Sequence, residues 1–352
     1  MVASLSGQSA RPQRPKDGPR LPLSPRERAG VRGKAPSDRL RLSHYSRLAA
    51  VALAIVLGLC AIPSAYAQVK RAGDAKLAFA QSGTNEFAFD TGVLKGKLRA
   101  EGKSKGLSSV VHMPTGMTLD HSMGLFGHYR VFTANKRYGS AAWDWPSEAK
   151  LLRNGSVEVR WPAAEDRPFE LSALYRWAAP NILDLQTTVK AKADLAKFES
   201  FLASYFAAGF TNAGVYARAE GQPRLVRADS SAGVWQAFPR DDAAAAMIQD
   251  GRWKYPPSPV EWVIRPSLEQ PLGMRCSPAN NLTALVLSRS QDAFAVLTPQ
   301  ETEGHRSMYL SLFGKDLKAG ETARAQARLI VDVNLFGERP DKLCSTYLPK
   351  SR

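Results

Sequence analysis

Phe169-Glu170-Leu171-Ser172-Ala173-Leu174-Tyr175-Arg176-Trp177, followed by Ala179-Pro180-Asn181 and then Leu183-Asp184-Leu185-Gln186-Thr187-Thr188-Val189-Lys190, is the stretch that decides the fold. Apolar and polar residues alternate with period two through both halves. A β-strand sends successive side chains to opposite faces, so each half reads as a strand with one buried and one wet face. The Ala-Pro-Asn link between them is a turn signal. Working outward, Val157, Val159 and Trp161 alternate with Ser156, Glu158 and Arg160. Asn154-Gly155 before them marks a hairpin. Ala323, Ala325, Ala327, Leu329, Val331 and Val333 repeat the pattern near the end, after the turn Lys318-Ala319-Gly320-Glu321. Further strands are expected over 75–81, 85–98, 106–112, 124–133, 198–206, 260–266, 283–289, 293–298 and 307–314. Only two helices are expected, one opened by Asp241-Asp242 and ended by Gly251, one over 340–348. So many strands with so few helices predict an all-β fold, a large antiparallel β-sandwich, with no linker to divide residues 68–352.

Residues 39–67 have the form of a signal peptide. Arg39, Arg41 and Arg47 give a positive segment, Leu48 to Ile62 an apolar run, and Ala65-Tyr66-Ala67 small residues before Gln68. The run is shorter than the ~20 residues of a membrane span, so export with cleavage before Gln68 is expected, to the periplasm or outside the cell, with no membrane association afterwards. Residues 1–38 are rich in Pro, Arg, Gly and Ser and lack apolar periodicity. They read either as a disordered extension or as translation from a start upstream of the true one. The chain has 352 residues and a net charge of +16. Residues 1–67 hold 11 Lys+Arg against 3 Asp+Glu, so half of that excess lies in the leader. The remaining basic residues are interleaved with acids, which argues against a nucleic-acid surface. Cys276 and Cys344 stay in the exported part, where an oxidising compartment allows a disulfide and two buried thiols are the alternative.

Functional residue types concentrate between Met123 and Glu148. His128 and Asp144 are candidate catalytic groups there. Arg130, Arg137, Tyr138, Trp143, Trp145 and Glu148 are candidate binding groups, because indole faces stack on the C–H faces of sugar rings while Arg, Asp and His bond hydroxyls. The competing reading makes Trp143 and Trp145 core residues of a strand. A second cluster, Trp253 to Trp262, offers Trp253, Tyr255 and Glu261 in a proline-rich loop. A third, Gln300 to Arg306, supplies Glu303 and His305, a pairing suited to proton transfer. A groove collecting His128, Arg130, Asp144 and Glu303 is expected of a working site, and dispersal of those groups of a scaffold. His112, His121, His128 and Asp120 have no established ligand spacing, so no metal is expected. The sequence shows no G-x-S-x-G elbow and no phosphate loop, so no nucleophilic serine and no cofactor are expected.

The ending Phe313-Gly314-Lys315-Asp316-Leu317-Lys318-Ala319-Gly320-Glu321-Thr322, with the strand pair 182–191 and 198–206 finishing Ser204-Tyr205-Phe206, resembles the galactose-mutarotase-like supersandwich of aldose 1-epimerases. The segment His112 to Phe132 also resembles exported methane-oxygenase-like proteins. The first resemblance implies a saccharide ligand. It implies, too, a catalytic His two residues before the Tyr-Phe pair, where this chain has Ala203. The expectation is therefore an exported saccharide-binding or saccharide-modifying sandwich without that general acid, the alternative being a non-enzymatic scaffold domain of the cell envelope.

Overall fold

Strand alternation is realised in three sheets. The computed structural model describes residues 77–101, 106–333, 335 and 337–348. The signal-peptide and leader segments lie outside these residues. A five-stranded meander opens the fold with β1 (Ala80–Gly83), β2 (Glu86–Asp90), β3 (Leu94–Arg99), β4 (Gly106–His112) and β5 (Met117–Thr118). There follow β6 (Gly127–Thr133), β7 (Lys136–Arg137), β8 (Glu148–Leu151), β9 (Val157–Trp161), β10 (Phe169–Ala179), β11 (Ile182–Ala191), β12 (Leu195–Tyr205), β13 (Asn212–Ala219), β14 (Gln222–Arg227) and β15 (Trp235–Pro239). After helix α1 (Asp242–Ile248) come β16 (Val263–Ile264), β17 (Leu268–Ser277), β18 (Leu282–Ser288), β19 (Ala293–Pro299), β20 (Ser307–Leu317), β21 (Thr322–Val333) and helix α2 (Pro340–Tyr347). Nine strands pair in the order β14-β13-β17-β18-β21-β11-β10-β9-β8, and seven in the order β16-β15-β19-β20-β12-β6-β7.

The nine-stranded sheet is built on the deciding stretch. Leu171 stands opposite Val189 and Tyr175 opposite Leu185 in the β10–β11 pair, while Leu185 meets Ala327 and Val189 meets Ala323 across β11–β21. Those residues form the inner face. It packs on Val131, Leu202, Val296, Met308, Leu310 and Leu312 of the seven-stranded sheet in one cluster of buried apolar side chains. Contact between the sheets is close: a Cβ on Gly273 of β17 would stand 2.4 Å from Met308 Sδ of β20, so a larger residue there would force the buried Met308 side chain to move. Burial on this scale, at roughly 25 cal/mol per Å² of apolar surface, is the main force holding the sheets together.

Each large sheet is also covered on its outer face, which alternation in the sequence does not announce. Helix α2 brings Leu343 and Cys344 onto Leu272, Met274, Cys276, Leu285, Leu287 and Ile330. Both cysteines are free thiols in the structure, so the permitted disulfide is not formed. Burial in this apolar layer pushes the Cys276 thiol up to about 11 and that of Cys344 up to about 12. Over the seven-stranded sheet, α1 and the chain to Trp262 place Ala244, Met247, Ile248, Trp253 and Trp262 on Phe132, Phe201, Ala203 and Tyr205. The expected helix start is present, with the Asp241 carboxylate accepting from the Ala244 N–H at 2.8 Å. The expected strand over 260–266 shrinks to Val263–Ile264, because the preceding residues serve as this cover.

Candidate functional site

The outer face of the seven-stranded sheet holds an aromatic pocket, and an irregularity in β6 shapes it. In the β6–β12 pairing, Val131 stands opposite Ser200 and His128 opposite Leu202, so Tyr129 and Arg130 together oppose Phe201. Two residues against one is a β-bulge, and a bulge re-aims side chains. Val131 joins the inter-sheet core, whereas Tyr129 and Arg130 both line the outer pocket. Phe201 and Tyr205 of β12, Tyr309 of β20 and Trp235 of β15 add to its floor and wall. Trp253, Ser258, Pro259, Val260 and Trp262 close it from the covering chain, and His305 stands at it from the β19–β20 turn. The cavity measures about 250 Å³.

A buried ion cluster anchors the cover. Arg252 and Glu199 are both fully buried. The Arg252 guanidinium donates from Nη1 to Glu199 Oε2 at 3.0 Å and to the Lys197 carbonyl at 3.0 Å. From Nη2 it donates to Asp250 Oδ2 at 2.9 Å, and the other Glu199 oxygen accepts from Ser311 Oγ at 2.7 Å. Burial pushes the Glu199 carboxyl upward, opposed by the Arg252 charge. Both charges are thus paired and hydrogen-bonded, the condition on which such burial is tolerated. Next in the chain, Trp253 packs edge-on against Phe201 with ring centres 4.8 Å apart and against Trp262 at 5.3 Å.

The pocket is rich in donors. Arg130 is 4% exposed; its Nη2 donates to the Ser258 carbonyl at 2.8 Å, while Nε and Nη1 have no acceptor among the described residues. The indole N–H groups of Trp253 and Trp262 also lack acceptors there. Arg130 lies against the rings of Tyr129 and Trp253, 5.0 and 5.1 Å from their centres. The Tyr309 hydroxyl receives a bond from Ser307 Oγ at 2.5 Å, and burial pushes its pKa up to about 12. Burial raises Tyr205 well above the usual range as well, so both phenols stay protonated. His305 is held by Glu303, whose two carboxylate oxygens take the ring Nδ1 and the backbone N–H, each at 2.8 Å.

Of the residues singled out in the sequence, the pocket brings together Arg130, Trp253 and His305, with Glu303 behind His305. His128 is elsewhere. It faces between the sheets, its Nδ1 3.0 Å from Ser200 Oγ and its Nε2 3.1 Å from Thr187 Oγ1 of the opposite sheet. The bulge separates it from Arg130, two residues away, which simple alternation places on the same face. Asp144 is exposed in a 3-10 turn over Ala142–Asp144, not in a groove with Arg130 and Glu303. Because of that turn, Trp143 and Trp145 do not share a strand face. Trp143 stacks on Tyr129 at 4.3 Å as a support beneath the pocket, whereas Trp145 enters the inter-sheet core beside Phe169. Tyr138 also packs on Phe169 in that core. Arg137 straps the cover instead, donating to the Tyr255 and Pro257 carbonyls at 3.1 and 2.5 Å. Tyr255 is exposed and bonds the Asn135 carbonyl. Glu261 lines a separate shallow hollow on the far side of the cover, and Glu148 is exposed on β8 of the other sheet.

Sequence reading missed Tyr129, Phe201, Tyr205, Trp235 and Tyr309 as pocket residues. Phe201 and Tyr205 were available as a signal: the odd positions of β12 from 201 run Phe201, Ala203, Tyr205, a largely apolar face opposite an inner one that holds Phe198 and Leu202.

Neither a protein-family model nor a curated protein matches the chain. Among solved structures, the fold is similar to a candidate aldose 1-epimerase from Escherichia coli K12, at 10% identity and a TM-score of 0.44, covering 71% of this chain and 100% of that one. It is similar to the Slr1438 protein of Synechocystis sp. PCC 6803, at 13% identity and a TM-score of 0.45, covering 73% and 98%. A galactose mutarotase-like protein from Lactobacillus casei ATCC 334 is similar at 10% identity and a TM-score of 0.45, covering 70% and 100%. The methane-oxygenase-like resemblance gains no support from these similarities. At such identities and scores the chemistry of the pocket has to be read from its own residues.

Proposed function

We propose that the pocket on the seven-stranded sheet binds a saccharide and that the protein works outside the cytoplasm after cleavage before Gln68. One observation carries the binding reading: seven aromatic side chains surround a cavity of about 250 Å³, and three of its lining residues, Arg130, Trp253 and Trp262, carry buried N–H groups without acceptors among the described residues. Flat apolar walls suit the C–H faces of a pyranose, and unpaired donors suit its oxygens. Trp235 is the half-buried indole of the wall, with its ring 5.7 Å from that of His305. Truncating it to alanine is expected to weaken saccharide affinity tenfold or more, the size of a hot-spot aromatic loss, with little change in the unfolding midpoint. Calorimetric titration over a broad oligosaccharide panel checks this. Undiminished affinity in Trp235→Ala, or no binding across the panel by a folded protein, sinks the reading in favour of a scaffold domain.

The Glu303–His305 pair favours a second role, proton transfer to the bound sugar. Glu303 fixes the imidazole through Nδ1 and leaves Nε2 as the nitrogen able to exchange a proton. Proton NMR of a bound saccharide followed over hours separates the roles: conversion that disappears in His305→Ala marks catalysis, and unchanged spectra mark a binding protein. Export has its own test. Mass spectrometry of protein from its natural host is expected to find an N-terminus at Gln68, free or cyclised; an intact leader on the mature protein defeats that part of the proposal.

A further inference from the structure

We infer that the ligand is acidic: a saccharide whose anionic substituent, a carboxylate or a sulfate ester, is drawn to the Arg130 guanidinium while its ring lies on the aromatic wall. This rests on the saccharide reading of the pocket and narrows it to a substrate class.

Charge balance is the first ground. Arg130 lines the cavity at 4% exposure and takes part in no ion pair among the described residues. Of the other buried guanidiniums, Arg167 and Arg275 also take no ion pair among the described residues, but neither lines this pocket; the remaining one is charge-matched. Arg252, fully buried, is matched by Glu199 and Asp250. No carboxylate lines the pocket, and the nearby Glu303 is engaged with His305. A buried charge without a counter-charge is costly, and a ligand that brings one recovers that cost on binding.

Donor balance is the second ground, and it is independent of charge. Nε and Nη1 of Arg130 and the indole nitrogens of Trp253 and Trp262 are buried donors without acceptors among the described residues. Arg167, Arg275, Trp161 and Trp177 also hold buried donors without acceptors among the described residues, so what marks this pocket is that three of its lining residues carry four of them together. A sugar hydroxyl brings donors as well as acceptors, whereas a carboxylate or sulfate brings acceptors only, which fits a lining with this surplus.

The surroundings reinforce the positive sign. Arg137 lies close enough to Arg130 that, after burial, the Arg130 charge is the next influence holding its pKa down to about 10. Both guanidiniums bond backbone carbonyls of the 255–258 loop. The same loop that roofs the pocket is therefore tied down by two cations rather than by carboxylates.

The test compares a trigalacturonate with its fully methyl-esterified form by calorimetry on the full chain, beside a sulfated and an unsulfated neutral galactan oligosaccharide. The charged member of at least one pair is expected to bind tenfold or more tightly, and which pair responds tells carboxylate from sulfate. Raising salt from about 0.1 to 0.5 M is expected to weaken the charged ligand several-fold and the neutral one little, as screening requires. Arg130→Gln is expected to erase the preference, the charged ligand losing affinity by a larger factor than the neutral one until the two bind alike, and Arg130→Lys to keep part of the preference. Equal affinity within both pairs overturns the inference and leaves the saccharide reading intact if Trp235→Ala still weakens binding. A preference that persists in a folded Arg130→Gln overturns it also. Failure of all four probes to bind removes the saccharide reading and the inference together.

Discussion

Arg252→Met is expected to cost about 3–5 kcal/mol of folding stability, the largest loss of any single surface-distant substitution proposed for this protein. The charge left behind sets the magnitude. Glu199 is fully buried, and without Arg252 the one side-chain bond left to it among the described residues is that from Ser311. The same substitution loosens the cover, because Arg252 joins Asp250 on the α1 side to the Lys197 carbonyl and Glu199 on β12. Saccharide affinity should therefore fall with stability, although Arg252 does not line the pocket. Denaturant unfolding measures the first effect and calorimetry the second. The control is the pair Arg252→Met with Glu199→Leu, which removes both buried charges and should recover a large part of the loss. A single variant within 1 kcal/mol of the parent, or a double variant less stable than the single one, contradicts the account.

Acid is expected to destabilise the fold through His128. Its ordinary pKa of 6.5 is pushed down to about 3 by complete burial, so the ring stays neutral in the native state. The unfolded chain takes up a proton near pH 6.5 and the folded one does not. The contribution is thus fully present above the unfolded value and declines as pH falls from about 6.5 toward 3. At the lower end about 4 kcal/mol is gone. Unfolding midpoints of the parent and of His128→Gln, taken between pH 7 and 4, check the sign. Glutamine keeps an acceptor and a donor for Ser200 and Thr187 but cannot titrate, so its pH dependence should be shallower. Parallel curves for the two proteins would falsify the assignment of the acid response to His128.

How legible the protein is differs from layer to layer. β10, β11 and β21 follow from period two because one face of each is wet or only partly covered, so polar residues mark it. β13, β15 and β17 escape such a reading. Their sequences, such as Trp235-Gln236-Ala237-Phe238-Pro239, are covered on both faces, and burial on both faces erases alternation. The site shows the same limit in sharper form. Clusters rich in Trp, Arg and His did contain Arg130, Trp253 and His305, since those residue types are what a pocket of this chemistry uses. They also contained Tyr138 and Trp145, which the core claims, because an indole or phenol serves packing as well as stacking. Tyr205 and Tyr309 come together from strands more than a hundred residues apart in sequence, and only the β12–β20 pairing, with Tyr205 opposite Ser307 and Ala203 opposite Tyr309, makes them neighbours.

Cys276 and Cys344 show a related limit. Compartment and parity permitted a bridge, but both side chains were recruited to the apolar layer under α2. Their raised pKa values make them poor thiolates, so alkylation of the native protein should be slow and should accelerate on unfolding.

The supernumerary residue at Tyr129–Arg130 divides β6 into two phases. Before it, Phe126 and His128 answer to the core and to Thr187 across the sandwich. After it, Val131 resumes the inward role one step out of time. The strand is therefore a hyphenated word whose halves are spelled under different rules. Substitutions at 129 and 130 can alter what the pocket receives without any change in how the sheets mate. Removing a single residue at that point would restore simple alternation, leaving His128 and Val131 both facing the core and one side chain instead of two facing the pocket. Among descendants of this chain, length at this one position is the character to watch, ahead of residue identity.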